Sequence, residues 1–86
     1  MPKISEFFGI LIYMYYNDHA PPHFHAKYGE FEALVRIAPI GLLEGDLPPR
    51  AISLVMEWAQ KHRNELMEEW NNAASNKKLH KIPPLE

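Results

Sequence analysis

The first half of the chain alternates hydrophobic and polar residues with a period of two, which is typical of β-strands. The aliphatic and aromatic run over residues 10–16 predicts a strand. Its two faces are predicted to be Ile10, Ile12 and Met14, which point to the core, and Leu11, Tyr13 and Tyr15, which face a wetter side. The earlier apolar residues Ile4, Phe7 and Phe8 either cover a sheet edge or begin this strand.

The next segment, residues 23–37, predicts a β-hairpin around Gly29, because glycine tolerates the positive φ of a tight turn. A two-residue turn at Tyr28-Gly29 places His25 opposite Glu32. Apolar side chains then share one face and charged or imidazole side chains share the other. These sets are Phe24, Ala26, Phe31, Ala33 and Val35 against His23, His25, Lys27, Glu30, Glu32 and Arg36.

The second half of the chain follows the period of a helix. A turn over residues 38–41 and a short fourth strand over residues 42–44 come first. Asp46 and the proline pair after it are a helix-start signal, and an amphipathic helix is predicted from Arg50 to Ala74. Its apolar stripe consists of Ile52, Val55, Ala59, His62, Leu66, Trp70 and Ala73.

Together these elements predict an α+β fold, in which a small, mainly antiparallel sheet of three to four strands packs against one long C-terminal helix. The length of 86 residues predicts a single domain, residues 1–86. The chain has no cysteine, which excludes disulfides and thiolate metal sites. It also has no signal-peptide pattern and no run of roughly 20 apolar residues, so we expect a cytoplasmic protein that does not enter membranes.

The chemically densest stretch is residues 13–32, with the sequence YMYYNDHAPPHFHAKYGEFE. Within it His19, His23 and His25 have the spacing H-x3-H-x-H, and imidazoles are the commonest ligands of zinc and similar ions. Asp18 or Glu32 can join as a further ligand or as the acceptor for a ligand's N–H. The stretch therefore predicts a divalent-metal site at the three histidines, although no familiar zinc motif has this spacing.

The same side chains fit acid–base chemistry without a metal. Opposite Glu32, His25 is an imidazole oriented by a carboxylate. With His23 the pair predicts a catalytic set suited to a phosphodiester, as in a small ribonuclease. A solvated sheet face with ordinary cross-strand ion pairs explains these side chains without any catalysis. The net charge of −2 does not favour nucleic acid as a partner.

A third interpretation is a protein-binding surface, because tyrosine is enriched at interfaces. A core that is thin for this length also favours burial against another chain. The predicted surface residues are Tyr13, Tyr15, Tyr16, Asp18, Tyr28 and Arg36. They predict a small cognate protein or a second copy of the chain as the partner.

The stretches ISEFFGI, MYYNDHAPPHFHAKYGEFEALVRI, LLEGDLPPRA and EWAQKHRNEL resemble a family of small bacterial proteins known as a domain of unknown function, number four-one-six-zero in its series. The resemblance covers nearly the whole chain and departs mainly at residues 38–41. Members are often found beside, or fused to, another small domain, which implies a bacterial cytoplasmic setting and a protein partner in a toxin–antitoxin-like or regulatory pair. The resemblance implies no reaction and no catalytic residue. The leading hypothesis is a non-enzymatic interaction module, and the alternative is a His-dependent hydrolase or a metal-binding protein.

Overall fold

A computed structural model describes residues 2–86, which form a five-stranded antiparallel sheet with two helices packed on one face. The α+β class is confirmed, whereas the expectation of three to four strands and a single helix is wrong. The strands follow one another as a meander in the order β1-β2-β3-β4-β5. The elements are β1 (Lys3–Phe7), β2 (Ile10–Tyr13), β3 (His23–Tyr28), β4 (Phe31–Ile37), β5 (Ile40–Gly45), α1 (Pro49–Lys61) and α2 (Arg63–Ala74).

The additional strand comes from the start of the chain. Phe8 and Gly9 both take positive φ, +49° and +79°, and form a two-residue turn that pairs Phe7 with Ile10. The residues before this turn are therefore a strand of their own. The predicted strand over residues 10–16 ends earlier, at Tyr13. Its predicted core face is confirmed, since Ile10, Ile12 and Met14 are fully buried.

The hairpin of β3 and β4 is present, but the predicted register is wrong by two residues. The turn is formed by Gly29 and Glu30, one position later than predicted, so that His25 lies opposite Leu34 and Glu32 lies opposite Lys27. A shift of two preserves the side-chain alternation. On the predicted apolar face, Phe24, Ala26, Ala33 and Val35 are accordingly buried, whereas Phe31 lies next to the turn and is exposed.

The predicted long helix is broken at His62. This residue has φ −119° and ψ 25°, it ends α1 by donating its N–H to the Trp58 carbonyl, and its ring nitrogen Nδ1 lies 2.6 Å from Glu65 Oε1. The apolar stripe continues across the break, because Val55 and Leu66 are both fully buried. Pro48 occupies the N-cap position of α1, and no side-chain hydrogen bond caps the start of this helix.

The C-terminal tail closes the core. Ile82 and Leu85 are buried, the Ile82 N–H donates to the Ile4 carbonyl over 2.8 Å, and Trp58 Nε1 donates to the Pro83 carbonyl over 2.9 Å. The tail therefore lies along the outer edge of β1 and covers the buried indole of α1.

On the opposite face of the sheet, the one helical contact described within residues 2–86 is that of Trp70 with His23 at the start of β3. Leu11 and Lys27 lie side by side on neighbouring strands of this face, as do Tyr13, His25 and Leu34, and all five side chains are half-buried. Within residues 2–86 no helix is long and apolar enough to cross a membrane.

Candidate functional site

The candidate site lies where the loop after β2 meets the start of β3. Asn17 takes positive φ and donates its N–H to the Ala73 carbonyl at the end of α2, which fixes the beginning of the loop. Asp18 follows in this loop, and His23 and His25 are the first and third residues of β3. A loop held at one end by a helix and at the other by a strand suits a site that must keep its side chains still.

One carboxylate connects the histidines. Asp18 Oδ2 lies 3.0 Å from His23 Nε2 and 3.2 Å from His25 Nε2. Its other oxygen, Oδ1, accepts the backbone N–H of His19 over 2.9 Å and lies 3.1 Å from that residue's Nδ1. Burial raises the pKa of Asp18, but hydrogen bonds from His25 and from the His19 backbone, with the nearby imidazoles, outweigh it and hold the pKa below its usual value.

His23 is the buried member of the group. Only 2% of its surface is exposed, its ring packs against Trp70 with centroids 5.2 Å apart, and Nδ1 lies 2.7 Å from the Pro21 carbonyl oxygen. A carbonyl can only accept, so Nδ1 carries a proton. The remaining nitrogen, Nε2, is buried and has no hydrogen-bond partner, because its close contact with Asp18 lacks hydrogen-bond alignment.

His25 lies between two carboxylates. Its Nε2 is 3.2 Å from Asp18 Oδ2 and its Nδ1 is 3.3 Å from Glu32 Oε2. Tyr15 packs edge-on against the ring, with centroids 4.4 Å apart. The predicted pairing with Glu32 is therefore present as a side-chain contact, although the two residues are not directly opposite in the register.

The predicted metal set is only partly brought together. Asp18, His23 and His25 each offer a ligand atom, and these three atoms lie within 4.8 Å of one another. His19 is outside this group, with a side chain that is 86% exposed and a ring centroid 5.9 Å from that of His23. Glu32 is separated from the group by the His25 ring.

The predicted binding surface is divided in two. Tyr13 and Tyr15 stack with centroids 6.4 Å apart beside the candidate site, and Tyr16 is exposed at the start of the loop. Tyr28 is at the other end of β3, against Gly9. Arg36 lies opposite His23 in the sheet but donates its Nε–H to the Pro39 carbonyl.

Sequence reasoning did not connect Trp70 with this site. The helical stripe indicated a core residue, and the structure puts its indole against the His23 ring. Trp70 lies one turn before Ala73, whose carbonyl accepts the N–H of Asn17 in the loop. Such a contact between helix and loop is not encoded in any local spacing.

The family model described as Domain of unknown function (DUF4160) matches residues 9–71 of the chain. The chain belongs to this family. The matched region of the DUF4160 chain includes Asp18, His23, His25 and Glu32, whereas β1 and the tail lie outside it. No curated protein and no solved structure matches the DUF4160 chain.

Two kinds of chemistry fit this geometry. Unprotonated imidazole nitrogens beside a carboxylate oxygen are a ligand set for a divalent ion. An imidazole held between two carboxylates can also accept and return a proton.

Proposed function

We propose that this protein is a non-enzymatic interaction module that binds a small cognate protein, in a toxin–antitoxin-like or regulatory pair. The observation that carries the proposal is the free edge of the sheet at β5, Ile40–Gly45. Within residues 2–86 this strand pairs with β4 on one side and with no strand on the other.

The β5 edge carries no lysine and no proline, and its one irregularity is a bulge at Leu43. Edge strands are normally shielded by lysines, prolines or a covering element. The sequence of β5 is IGLLEG, in which Leu42 and Leu43 are 45% and 36% exposed and Glu44 is the only charged residue. This combination suits the addition of a strand from another chain, where backbone hydrogen bonds give affinity and the leucines give apolar contact.

The open sheet face continues this surface. A solvent-facing sheet is usually polar, but this face carries Leu11, Tyr13 and Leu34, each half-buried. Lys27 Nζ lies 5.2 Å from the centre of the Tyr13 ring, in a cation–π contact at the rim. Aromatic residues surrounded by charged ones are typical of interface patches.

Charge favours a basic partner over a second copy. Acidic residues are exposed around the turns that flank β4 and β5, namely Glu30, Glu32, Glu44 and Asp46. A second copy would bring the same acidic set, whereas a partner strand flanked by lysine or arginine would complement it. We therefore infer a cognate protein that presents a basic, partly apolar strand to β5.

We expect the double substitution Leu42→Lys and Leu43→Lys to abolish this complex. Lysines on an edge strand oppose strand addition, and here they also repel a basic partner. Loss of two central apolar contacts should weaken binding more than about 30-fold. The measurement is co-expression with the small protein encoded beside this one, followed by size-exclusion chromatography and titration of the purified pair.

The matched control is Asn71→Lys, which adds a lysine at an exposed position of α2, away from β5. This variant should bind like the unmodified chain. Absence of a complex at micromolar concentration, or equal binding by the double-lysine variant, would contradict the proposal. If the complex contained only two copies of this chain, the proposed cognate partner would be wrong and the β5 edge would instead serve self-association.

A second candidate function is a His-dependent hydrolase acting on RNA, with His23, His25 and Glu32 as the catalytic set. The observation that favours it is the position of the His25 ring between the Asp18 and Glu32 carboxylates, at 3.2 and 3.3 Å. Such an arrangement can orient the imidazole and stabilise its protonated form, as a general base requires.

For this second candidate we expect His25→Ala to abolish cleavage of a labelled single-stranded RNA, with at least a 100-fold loss of rate and an unchanged circular dichroism spectrum. His80→Ala is the control, because that side chain is exposed on the tail and pairs with Glu69. If RNA is cleaved as fast by a His23→Ala/His25→Ala variant, or is not cleaved by the unmodified chain, the hydrolase is excluded.

A further inference from the structure

The buried nitrogen of His23 points to a function that protein binding does not require. We propose that Asp18, His23 and His25 together bind one divalent transition-metal ion, with Zn²⁺ as the representative. The proposal replaces His19 of the sequence-based ligand set with Asp18.

His23 Nε2 is free for the ion, and at His25 Nε2 the ion would take the place of the proton that this nitrogen donates to Asp18 Oδ2. His23 Nδ1 donates to the Pro21 carbonyl, and His25 Nδ1 faces the Glu32 carboxylate as its acceptor. Metal-binding histidines characteristically donate their second ring N–H to a carbonyl or a carboxylate in this way. Two histidines whose second N–H is held in this way, and which face one carboxylate, indicate a metal site more specifically than a group of histidines alone.

The contact between His23 Nε2 and Asp18 Oδ2 needs a positive charge to explain it. With Nδ1 protonated, a neutral His23 presents a lone pair at Nε2, and Asp18 Oδ2 presents another at 3.0 Å. A proton on Nε2 would supply the positive charge, but Nε2 is not aligned for a hydrogen bond to Asp18, so its N–H would be buried without an acceptor. An unpartnered nitrogen this deeply buried is costly, and a bound cation satisfies it together with the carboxylate.

The distances fit an ion with short bonds. Two atoms on a tetrahedral ion, each about 2.0–2.1 Å from it, lie about 3.3 Å apart. Asp18 Oδ2 is 3.0 and 3.2 Å from the two Nε2 atoms. The ligand nitrogens of the two histidines lie within 4.8 Å of each other.

The donor set also selects the ion. Two imidazoles and one carboxylate suit Zn²⁺, Fe²⁺, Co²⁺ or Ni²⁺, whereas Mg²⁺ and Ca²⁺ prefer oxygen ligands. Three protein ligands leave at least one coordination position for water or another molecule. The neighbouring Tyr15 ring, 4.4 Å from His25, would lie beside that ion.

The test is titration of the chelator-treated full chain with Zn²⁺ by calorimetry, and with Co²⁺ by visible absorption. We expect one ion per chain, and no binding of Mg²⁺ at millimolar concentration. Asp18→Asn and His25→Ala should each weaken Zn²⁺ binding more than about 100-fold, and Glu32→Gln about 10-fold, because Glu32 acts on the ion only through His25.

His19→Ala is the matched control, since its side chain is exposed and its contact with Asp18 is to Oδ1, whereas the two Nε2 atoms face Oδ2. This variant and His80→Ala should bind within about threefold of the unmodified chain. His23→Ala is not used as the primary test, because a cavity beside Trp70 could unfold the chain. Equal binding by the Asp18 and His25 variants, or a loss as large in His19→Ala, would overturn the assignment and leave only adventitious binding at surface histidines.

Discussion

Gly45→Ala is expected to destabilise the protein by about 2–5 kcal/mol, because both the backbone conformation and the neighbouring strand disfavour a side chain at this position. Its φ is +76°, a region that costs an L-residue roughly 1–2 kcal/mol. A Cβ there would also overlap the Glu32 carbonyl oxygen and lie 3.1 Å from Ala33 Cα, both backbone atoms of β4. Moving a paired strand to make room costs a further 1–3 kcal/mol.

Gly29→Ala is the control for the effect of φ alone. Gly29 has φ +58°, and a Cβ at this turn meets no atom within 4 Å. We expect this variant to lose only about 1 kcal/mol. Urea denaturation followed by circular dichroism compares the two free energies of unfolding. Equal free energies of unfolding for both variants would show that β4 can move away from a Cβ at position 45 without loss of stability, and would contradict the predicted overlap at Gly45.

Trp58→Ala is expected to cost about 4–6 kcal/mol, most of the stability of a domain of this length. The indole is fully buried and packs against Phe7 and Phe24 with centroids 5.2 and 5.7 Å away. Truncation of such a core aromatic costs about 3–5 kcal/mol. Loss of the hydrogen bond from Nε1 to Pro83 adds about 1 kcal/mol and frees the tail. The melting temperature should fall by roughly 15–50 °C.

Trp58→Phe separates the two contributions. A phenylalanine keeps most of the ring packing but cannot donate to the Pro83 carbonyl, so we expect a loss of about 1–2 kcal/mol. Limited proteolysis should then cut the tail after Lys81 faster than in the unmodified chain. An intact tail in this variant would mean that Ile82 and Leu85 hold the tail without the indole bond.

The alternation of side chains predicted which residues of β2, β3 and β4 face the core, because burial of one sheet face depends only on a period of two. The register of the hairpin depends on which residues form the turn, and both Tyr28-Gly29 and Gly29-Glu30 place a glycine in it. The alternation of apolar and polar residues is compatible with either turn, because the two registers bury the same side chains. The break at His62 could not be predicted either. The apolar stripe from Val55 to Leu66 continues through it, and no glycine or proline marks it.

The stretch that brings histidines together was predicted from the sequence, but the set of side chains that meet there was predicted only in part. The spacing of His23 and His25 on one strand could be predicted, and both rings meet at Asp18. The path of the loop with its two prolines could not be predicted, so there was no reason to prefer Asp18 over His19 as the third member. The loop conformation depends on the Asn17 contact with Ala73, which joins residues that are far apart in the chain.

The tail along β1 limits how many chains can join through the sheet. The Ile4 carbonyl already accepts the N–H of Ile82. Pro83 and Pro84 lie beside residues 3–6 and have no N–H to donate to a further strand. Among residues 2–86, β5 is therefore the one sheet edge left for strand addition. Two copies of this chain that paired through β5 would have no second edge of their own, so the chain alone cannot extend into a filament by strand addition.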